Sequence, residues 1–290
     1  MRGRGTVATG IFVGLSTVDL VYGVEEFPAP NSKVAARSQV IYVGGPATNA
    51  AVAFSHLGGQ ATVVSAVGRH SLAAVVLDEL RRLGVRHIDL CPEFEESPPI
   101  SSVTVNRRGE RNVVSANAVR VQAATAAVDE AALRQADVLM VDGHSMEACH
   151  AWCAAARGCG VPVVMDGGSW KAGSAELLRL VDTAICSADF KPPECGTQGD
   201  VFAFLRGCGV KRIAITHGAD AVCWAEGERS GSVEVPGVEI VDTMGAGDIF
   251  HGAFCWFIAS GSGFVEALEA AAGVASESCR FHGTRAWMRA

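Results

Sequence analysis

Two glycines and a carboxylate lie close together near the end of the sequence, in the segment Asp242-Thr243-Met244-Gly245-Ala246-Gly247-Asp248. An apolar stretch follows, so this segment is predicted to be a turn that opens a helix. The first N–H groups of a helix lack partners within it and carry partial positive charge, which favours a bound phosphate. Gly245, Ala246 and Gly247 are therefore predicted to form an anion hole. Asp248, in the first turn, could take a proton from an attacking hydroxyl group.

Considered by itself, the same segment could be a structural turn with Asp248 as the helix N-cap. A second motif, Gly44-Gly45-Pro46-Ala47-Thr48-Asn49, favours a functional interpretation. Segment 242–248 resembles the C-terminal signature of the ribokinase-like (PfkB) carbohydrate kinases, which carries their catalytic base. Segment 44–49 resembles their N-terminal Gly-Gly-x-x-x-Asn signature, which contacts the sugar. Because two unrelated signatures occur in the right order, the chain is identified as a member of this family.

The elements that must position these motifs follow an alternating pattern, which predicts an α/β fold with a mostly parallel sheet wrapped by helices. Strand-like runs occupy residues 7–14, 61–67, 138–141, 161–165, 183–186 and 212–216. Helix-like stretches occupy residues 46–56, 71–83, 146–156 and 201–207. The resemblance implies the ribokinase-like version of this fold.

Composition limits the remaining choices. The length of 290 residues fits one large domain over residues 1–290. A net charge of −7 without a basic run disfavours a nucleic-acid surface. No apolar run reaches the ~18 residues that a membrane span needs, and the first apolar stretch is interpreted as a strand rather than a signal peptide. Ten scattered cysteines without a Cys-x-x-Cys pair indicate a reducing, cytoplasmic setting.

Two segments, at about 20–43 and 99–116, break the α/β alternation because both are β-rich. They are predicted to form a separate small sheet, although by pattern alone they could be edge hairpins of the main sheet. The resemblance implies that this small sheet is a lid over the sugar. It also implies a homodimer formed through the lid.

Several residues near the ends of strands are candidates for the substrate side. Asp19 follows the first strand and could accept hydrogen bonds from two sugar hydroxyls, as the sugar-binding Asp of the family does. Gly44 and Gly45 would let the backbone approach the sugar closely, and Asn49 is a ligand or a helix cap. Arg111, after the lid turn, could reach the substrate or stay solvated.

The nucleotide side is indicated by resemblance. Residues 215–221 resemble a Thr-x-Gly-x-x-Gly turn that contacts ATP, which assigns Thr216 and Gly218, with an alanine in place of the last glycine. Ser187 stands where many relatives have an asparagine, and Gly283 is expected to flank adenine. Gly245 and Gly247 would complete the site. No P-loop or dinucleotide-binding motif occurs.

The metal site is the part that departs from the family pattern. Many relatives have an Asn-x-x-Glu segment that organises Mg²⁺, but residues 187–190 read Ser-Ala-Asp-Phe. Asp189 or Glu194 could serve, because Mg²⁺ needs only one or two carboxylates besides waters and phosphates. A requirement for K⁺ is left open. Since the sequence ends at Ala290, soon after Gly283, the last helix of the family is expected to be missing.

These observations predict an ATP- and Mg²⁺-dependent kinase that phosphorylates a primary hydroxyl of a small sugar, with Asp248 as general base. Ser187 and the continuation 248–252 resemble the ketohexokinase and sulfofructose kinase branches, which favours a ketose or an acidic derivative. Two alternatives stay open. One is a nucleoside kinase of the adenosine type, and the other is a non-catalytic sugar-binding or regulatory member of the fold.

Overall fold

The computed structural model describes residues 7–115 and 128–290. In these ranges the chain forms one sheet of nine strands and one of four. The strands are β1 (Thr9–Val13), β2 (Thr17–Gly23), β3 (Ser38–Gly44), β4 (Gln60–Ser65), β5 (Arg86–Asp89), β6 (Ile100–Val105), β7 (Arg111–Ser115), β8 (Val138–Val141), β9 (Val163–Gly167), β10 (Thr183–Ser187), β11 (Arg212–His217), β12 (Asp220–Glu226) and β13 (Arg229–Val233). The helices are α1 (Pro46–His56), α2 (Ala73–Arg82), α3 (Glu130–Leu133), α4 (Met146–Cys159), α5 (Ser174–Leu178), α6 (Gln198–Gly207), α7 (Ala246–Ala259) and α8 (Phe264–Ser278), followed by a 3-10 turn at Ala286–Arg289.

The large sheet has the strand order β13-β12-β11-β10-β9-β8-β1-β4-β5. All pairings from β11 to β5 are parallel, which confirms the mostly parallel sheet expected from the alternating pattern. The β12–β13 hairpin extends this sheet in the antiparallel sense and was not predicted. Parallel strands end at one edge, so the residues that follow β8 to β11 are brought side by side.

The small sheet has the order β3-β2-β6-β7, with β2 and β6 parallel and the outer pairs antiparallel. The prediction of a separate small sheet is therefore confirmed, and the alternative of edge hairpins on the main sheet is wrong. Strands β2 and β6 pair although they are far apart in the sequence. The alternating pattern within each segment does not predict this pairing. The last residue of the predicted second segment, 116, lies outside the described residues.

Helices cover both faces of the large sheet and bury two apolar clusters. One cluster contains α1, α7 and α8, and the other contains α4. Helices α1 and α7 approach so closely that a Cβ built on Gly252 would lie 2.1 Å from the backbone oxygen of Ala50. This crossing matters for the site, because each helix begins at one of the two glycine motifs. Among the described helices, none is long and apolar enough to cross a membrane.

Candidate active site

Polar residues gather at the edge of the large sheet where its parallel strands end. Asp142 follows β8, Asp166 lies near the end of β9, Ser187 ends β10, and Thr216 lies near the end of β11. Asp142 is buried and accepts hydrogen bonds from the backbone N–H groups of Leu15, Ala47 and His144. Asp142 thus joins β8 to the loop after β1 and to the start of α1.

The helix start at Gly245 has the local form predicted for an anion hole. Gly245 adopts φ 71°, the left-handed conformation that glycine tolerates best, and it is the N-cap of α7. In residues 7–115 and 128–290, the N–H groups of Gly247 and Asp248 have no hydrogen-bond acceptor. The interpretation of Asp248 as the N-cap is wrong, because it is the third residue of the helix. Two free donors and a carboxylate therefore share one turn.

Asp248 is enclosed by other polar groups. Asn49 Nδ2 donates a hydrogen bond of 2.7 Å to Asp248 Oδ2, across 199 residues of sequence. Burial raises the pKa of Asp248 to about 7, and the negative charge of Asp166 adds to this rise. The hydrogen bond from Asn49 and the nearby His251 oppose the rise. A carboxylate with such a pKa can gain and release a proton near neutral pH.

Asp166 and His251 were not predicted as site residues. His251 is buried, with Nδ1 at 2.7 Å from the Gly247 oxygen and Nε2 at 3.1 Å from the Ile185 oxygen. These two contacts fix the orientation of the ring between α7 and β10. Asp166 Oδ2 lies 3.6 Å from Nδ1. The only sequence signal was the position of Asp166 at a strand end.

The predicted sugar-side residues meet beside Asp248. Asp19 on β2 is 8% exposed, and Thr17 Oγ1 donates a hydrogen bond of 2.7 Å to its Oδ1. Burial raises the pKa of Asp19, while hydrogen bonds from Thr17 and Ser101 oppose this shift. A Cβ on Gly44 would lie 1.9 Å from Asp19 Oδ2, so only glycine leaves room for the carboxylate. Gly45 adopts φ 97° at the start of α1.

Arg285 is a second residue that sequence reasoning missed. Its side chain is 14% exposed and pairs with Glu79 on α2, with Nε 3.1 Å from Oε1. Nη1 donates to Asn49 Oδ1 at 2.9 Å, and Nη2 donates to the Val43 oxygen at 2.6 Å. Burial lowers the pKa of Arg285, while the negative charges of Glu79, Asp248 and Asp19 oppose this shift. Arg285 therefore lies near both site carboxylates, although no motif contains it.

Two other arginines lie near the site: Arg111 on the small sheet and Arg69 in the loop after β4. Arg111 at the start of β7 donates from Nη2 to Thr243 Oγ1 at 3.0 Å, so it contacts the 242–248 motif itself. Arg69, which follows the Gly68 turn, is paired with Glu93 and Glu95 and is largely exposed. Arg111 on the small sheet thus contacts the 242–248 motif, whereas the charge of Arg69 is already balanced by two glutamates.

A cavity of about 240 Å³ lies beside the predicted anion hole, at the start of α7. Its lining is mostly apolar and includes Thr216, Gly218, Ala246, Gly247 and Ala272. Gly283 is not part of this lining: its N–H donates to Asp242 Oδ2 at 2.8 Å, and a Cβ there would lie 2.3 Å from the Tyr42 hydroxyl. Ser187 borders a separate cavity of about 140 Å³, and its hydroxyl donates to the Gly168 oxygen.

The proposed metal ligands do not converge. Asp189 and Glu194 are exposed, and their carboxylates make no hydrogen bond or ion pair with other described residues. In the part of the chain that the structure covers, no three His, Cys, Asp or Glu side chains are grouped so that they could hold a metal ion. The residues present therefore do not fit a pre-built Mg²⁺ site at Asp189 and Glu194.

The fold agrees with comparisons to known proteins. The family model described as "pfkB family carbohydrate kinase" matches residues 10–289. The chain belongs to the pfkB family. As a pfkB family member it is a carbohydrate kinase with the ribokinase-like fold. Fructosamine kinase FrlD of Bacillus subtilis is 26% identical over 255 residues, covering 84% of this chain and 86% of that protein.

Solved structures of other kinases have the same fold. Ribokinase of Arabidopsis thaliana, complexed with ribose and ATP, aligns with a TM-score of 0.78 and 21% identity over 96% of this chain and 94% of that one. Adenosine kinase of Sinorhizobium meliloti aligns with a TM-score of 0.80 and 18% identity over 97% of this chain and 96% of that one. At these identities the likeness establishes the fold, and the pfkB member's own site must indicate its substrate.

Proposed function

We propose that this pfkB kinase transfers the γ-phosphoryl group of ATP to a primary hydroxyl of a small sugar, a ketose or an acidic derivative. The observation that carries the proposal is the position of Asp248. Its half-buried carboxylate shares a helix turn with two unpaired N–H groups. Arg285 lies near both Asp248 and Asp19, and Ala246 and Gly247 of the same turn line the apolar cavity. Those are the parts that phosphoryl transfer requires: a base, a site for charge and a site for each substrate.

In this mechanism the tasks are divided among a few groups of the site. Asp19 accepts hydrogen bonds from neighbouring sugar hydroxyls and orients the acceptor hydroxyl toward Asp248. Asp248 takes the proton of that hydroxyl as the oxygen attacks. The N–H groups of Gly247 and Asp248 stabilise the negative charge on the transferred phosphoryl group. The small sheet excludes water above the sugar.

The nucleotide is assigned to the apolar cavity beside the anion hole. The base would pack among the alanines of α8, and Thr216 and Gly218 would face the ribose or phosphates. Mg²⁺ would neutralise phosphate charge when it arrives with the nucleotide. Because Asp189 and Glu194 do not form a metal site, we assign no step to them, and a K⁺ requirement stays a prediction.

The substrate class rests on fewer observations. The similarity to a fructosamine kinase supports a ketose-derived acceptor. An acidic substituent would need a cation, and Arg111 on the small sheet is the candidate, since Arg69 already pairs with two glutamates. Similarity in fold to an adenosine kinase keeps a nucleoside acceptor as the second candidate. Asp248 argues against a non-catalytic role, because a binding protein has no use for a base.

The test is a coupled ADP-release screen with Mg·ATP. The acceptors are free ketoses and aldoses, their phosphorylated and sulfonated derivatives, fructosamines and nucleosides. We expect turnover with a ketose or an acidic ketose derivative. Turnover with nucleosides alone would replace the sugar proposal by the nucleoside one. Failure of every acceptor, with ATP bound, would favour the non-catalytic alternative.

The first mutational prediction concerns the contact between Gly44 and Asp19. In Gly44→Ala the new methyl group would overlap Asp19 Oδ2, which lies 1.9 Å from the ideal Cβ position, so the carboxylate must turn away from the sugar. We expect kcat/KM for the sugar to fall about 100-fold, the effect of losing two hydrogen bonds to a charged group. Steady-state kinetics measures this, and KM for ATP should stay unchanged.

Gly58→Ala is a matched control near the same helix, because no atom lies within 4 Å of its Cβ position. The residue has φ 99°, so some loss of stability is expected there, without a change in sugar affinity. A Gly44→Ala enzyme with wild-type kcat/KM would contradict the assignment of Asp19 to the sugar.

We also propose that the chain forms a homodimer through the small sheet. Ile41 on β3 and Val114 on β7 lie on one face of it and are 49% and 75% exposed. Exposed apolar side chains on a sheet favour contact with a second protein surface. Sedimentation equilibrium of wild type and of Val114→Lys measures the mass. A monomeric wild type would contradict the proposal.

A further inference from the structure

Arg285 lies in the interior of the site and uses its donors on protein atoms. Of the five N–H donors of a guanidinium, Nε binds Glu79, Nη1 binds Asn49 and the Thr284 oxygen, and Nη2 binds the Val43 oxygen. These bonds leave little capacity for a substrate anion. Arg285 is therefore suited to hold another residue in place rather than to bind substrate.

The residue it holds is Asn49. An amide side chain has an oxygen that accepts and a nitrogen that donates, and either end can in principle face a neighbour. Because a guanidinium has no acceptor, the Asn49 oxygen must face Arg285, at 2.9 Å. The amide nitrogen is then directed to Asp248 Oδ2, at 2.7 Å. A reversed amide would place its oxygen against the carboxylate.

We propose that Arg285, anchored by Glu79, is a positioning residue that orients the Asn49 amide so that it donates to the base Asp248. This inference rests on the proposed function of Asp248 and adds residues that neither glycine motif contains. In the absence of Arg285 the Asn49 amide can rotate. The Asp248 carboxylate then loses a donor that stabilises its ionised form. Glu79 takes part because an unpaired buried guanidinium would be costly.

Other charged groups also surround Asp248. Their influence on its pKa must be distinguished from that of the hydrogen bond from Asn49. Asp166 of β9 and Asp142 after β8 disfavour its ionised form, and His251 of α7 favours it. The charge of Arg285 itself interacts with Asp248 and with Asp19. Removing Arg285 could therefore act directly through its charge or indirectly through Asn49, and the two routes predict different results when Asn49 is absent.

The experiment uses the double variant Glu79→Met/Arg285→Met, because replacing a buried ion pair by apolar residues of similar volume often preserves stability. The pKa of Asp248 is measured by ¹³C NMR titration of its carboxyl resonance, identified by its loss in Asp248→Asn. We expect a rise of about one pH unit, which corresponds to about 1.4 kcal/mol. The acid limb of kcat should move up by the same amount, and activity should recover at high pH.

The second arm repeats the pair of substitutions in an Asn49→Ala background. If Arg285 acts through Asn49, removing Arg285 in this background should no longer change the pKa of Asp248. Arg81→Met, an exposed arginine on the same helix as Glu79, is the control and should leave the titration unchanged. Arg285→Gln can still donate to Asn49 Oδ1, so it should keep part of the wild-type titration. This variant replaces the double variant if the double variant does not fold.

An unchanged pKa of Asp248 in the double variant would overturn the proposal. An equal shift in the presence and absence of Asn49 would also overturn it, since that result assigns the effect to the charge of Arg285 alone. The NMR titration needs no turnover. A shift that depends on Asn49, found together with an active Asp248→Asn enzyme, would retain the positioning role and remove the proposed function of the base.

Discussion

Asp248→Asn is expected to lower kcat by about 1,000-fold, within the usual range for loss of a general base. The substitution keeps the size of the side chain and can keep the hydrogen bond from Asn49, but the amide cannot accept the proton of the acceptor hydroxyl. KM for the sugar and for ATP should change little, since the interaction is made mainly in the transition state. Steady-state kinetics with the best acceptor of the screen measures both constants.

The pH dependence gives this prediction a second readout. Burial raises the pKa of Asp248 to about 7, so wild-type kcat should decline as the pH falls below about 7 and the base becomes protonated. The declining limb should be absent from the residual activity of Asp248→Asn. Its absence from wild type would mean that another group limits the reaction.

A measurement of stability shows whether Asp248→Asn loses activity because the base is gone or because the protein unfolds. Because burial raises the pKa of Asp248 from its ordinary value of 3.8 to about 7 in the folded state, this group lowers stability as the pH rises from about 3.8 to about 7, and the full cost is present above pH 7. Asparagine carries no such charge, so the variant should melt at no lower temperature than wild type at pH 8. Asp78→Asn, an exposed carboxylate on α2, is the kinetic control. Wild-type kcat in Asp248→Asn would remove Asp248 from the role of base.

Gly252→Ala is expected to have the largest effect on stability. A Cβ at this position would lie 2.1 Å from the backbone oxygen of Ala50 and 2.8 Å from its carbonyl carbon. Backbone atoms cannot turn aside, so α1 and α7 must separate. We expect the free energy of unfolding to fall by about 2 kcal/mol, the range of overpacking in a core. Urea denaturation followed by circular dichroism measures it.

The same substitution should reduce kcat, because α1 carries Asn49 and α7 carries Asp248, whose side chains are 2.7 Å apart. Gly273→Ala is the matched control, since Gly273 lies within α8 and no atom lies within 4 Å of its Cβ position. There alanine should raise stability by about 0.5–1 kcal/mol through helix propensity. Equal stability of Gly252→Ala and wild type would contradict the close approach of the two helices.

Some elements of the fold could be predicted closely. Helix α1 spans Pro46–His56 as predicted, because proline at its first position and an adjoining glycine mark its start. The buried parallel strands were found from their short apolar runs. The hairpin β12–β13 was missed, because its second strand, 229–233, has little apolar character and is mostly exposed. The small sheet was predicted, but its strand order depends on pairing across distant segments.

Part of the candidate site could likewise be predicted from the sequence, and part could not. Asp19, Gly44, Asn49, Gly245 and Asp248 were identified from motifs, and the structure brings them together at neighbouring positions. Asp189 and Glu194 were chosen because they lie at or after the place of the family's Asn-x-x-Glu segment, and both are exposed and belong to no metal-binding group among the described residues. Proximity along the chain says nothing about side-chain direction, which the loop after β10 determines.

The amino-acid sequence by itself determined the family, the reaction class and the position of the proposed anion hole. The family and the reaction class rest on the resemblance of two short motifs, and the proposed anion hole depends on local backbone chemistry, since a glycine at positive φ before a helix needs only its own neighbours. Only the tertiary structure decided which groups surround Asp248. Arg285 and Asn49 are 236 residues apart, and His251 meets Asp166 through packing of α7 on the sheet. Burial and these long-range charges set the pKa of the base, and neither is a property of a short segment.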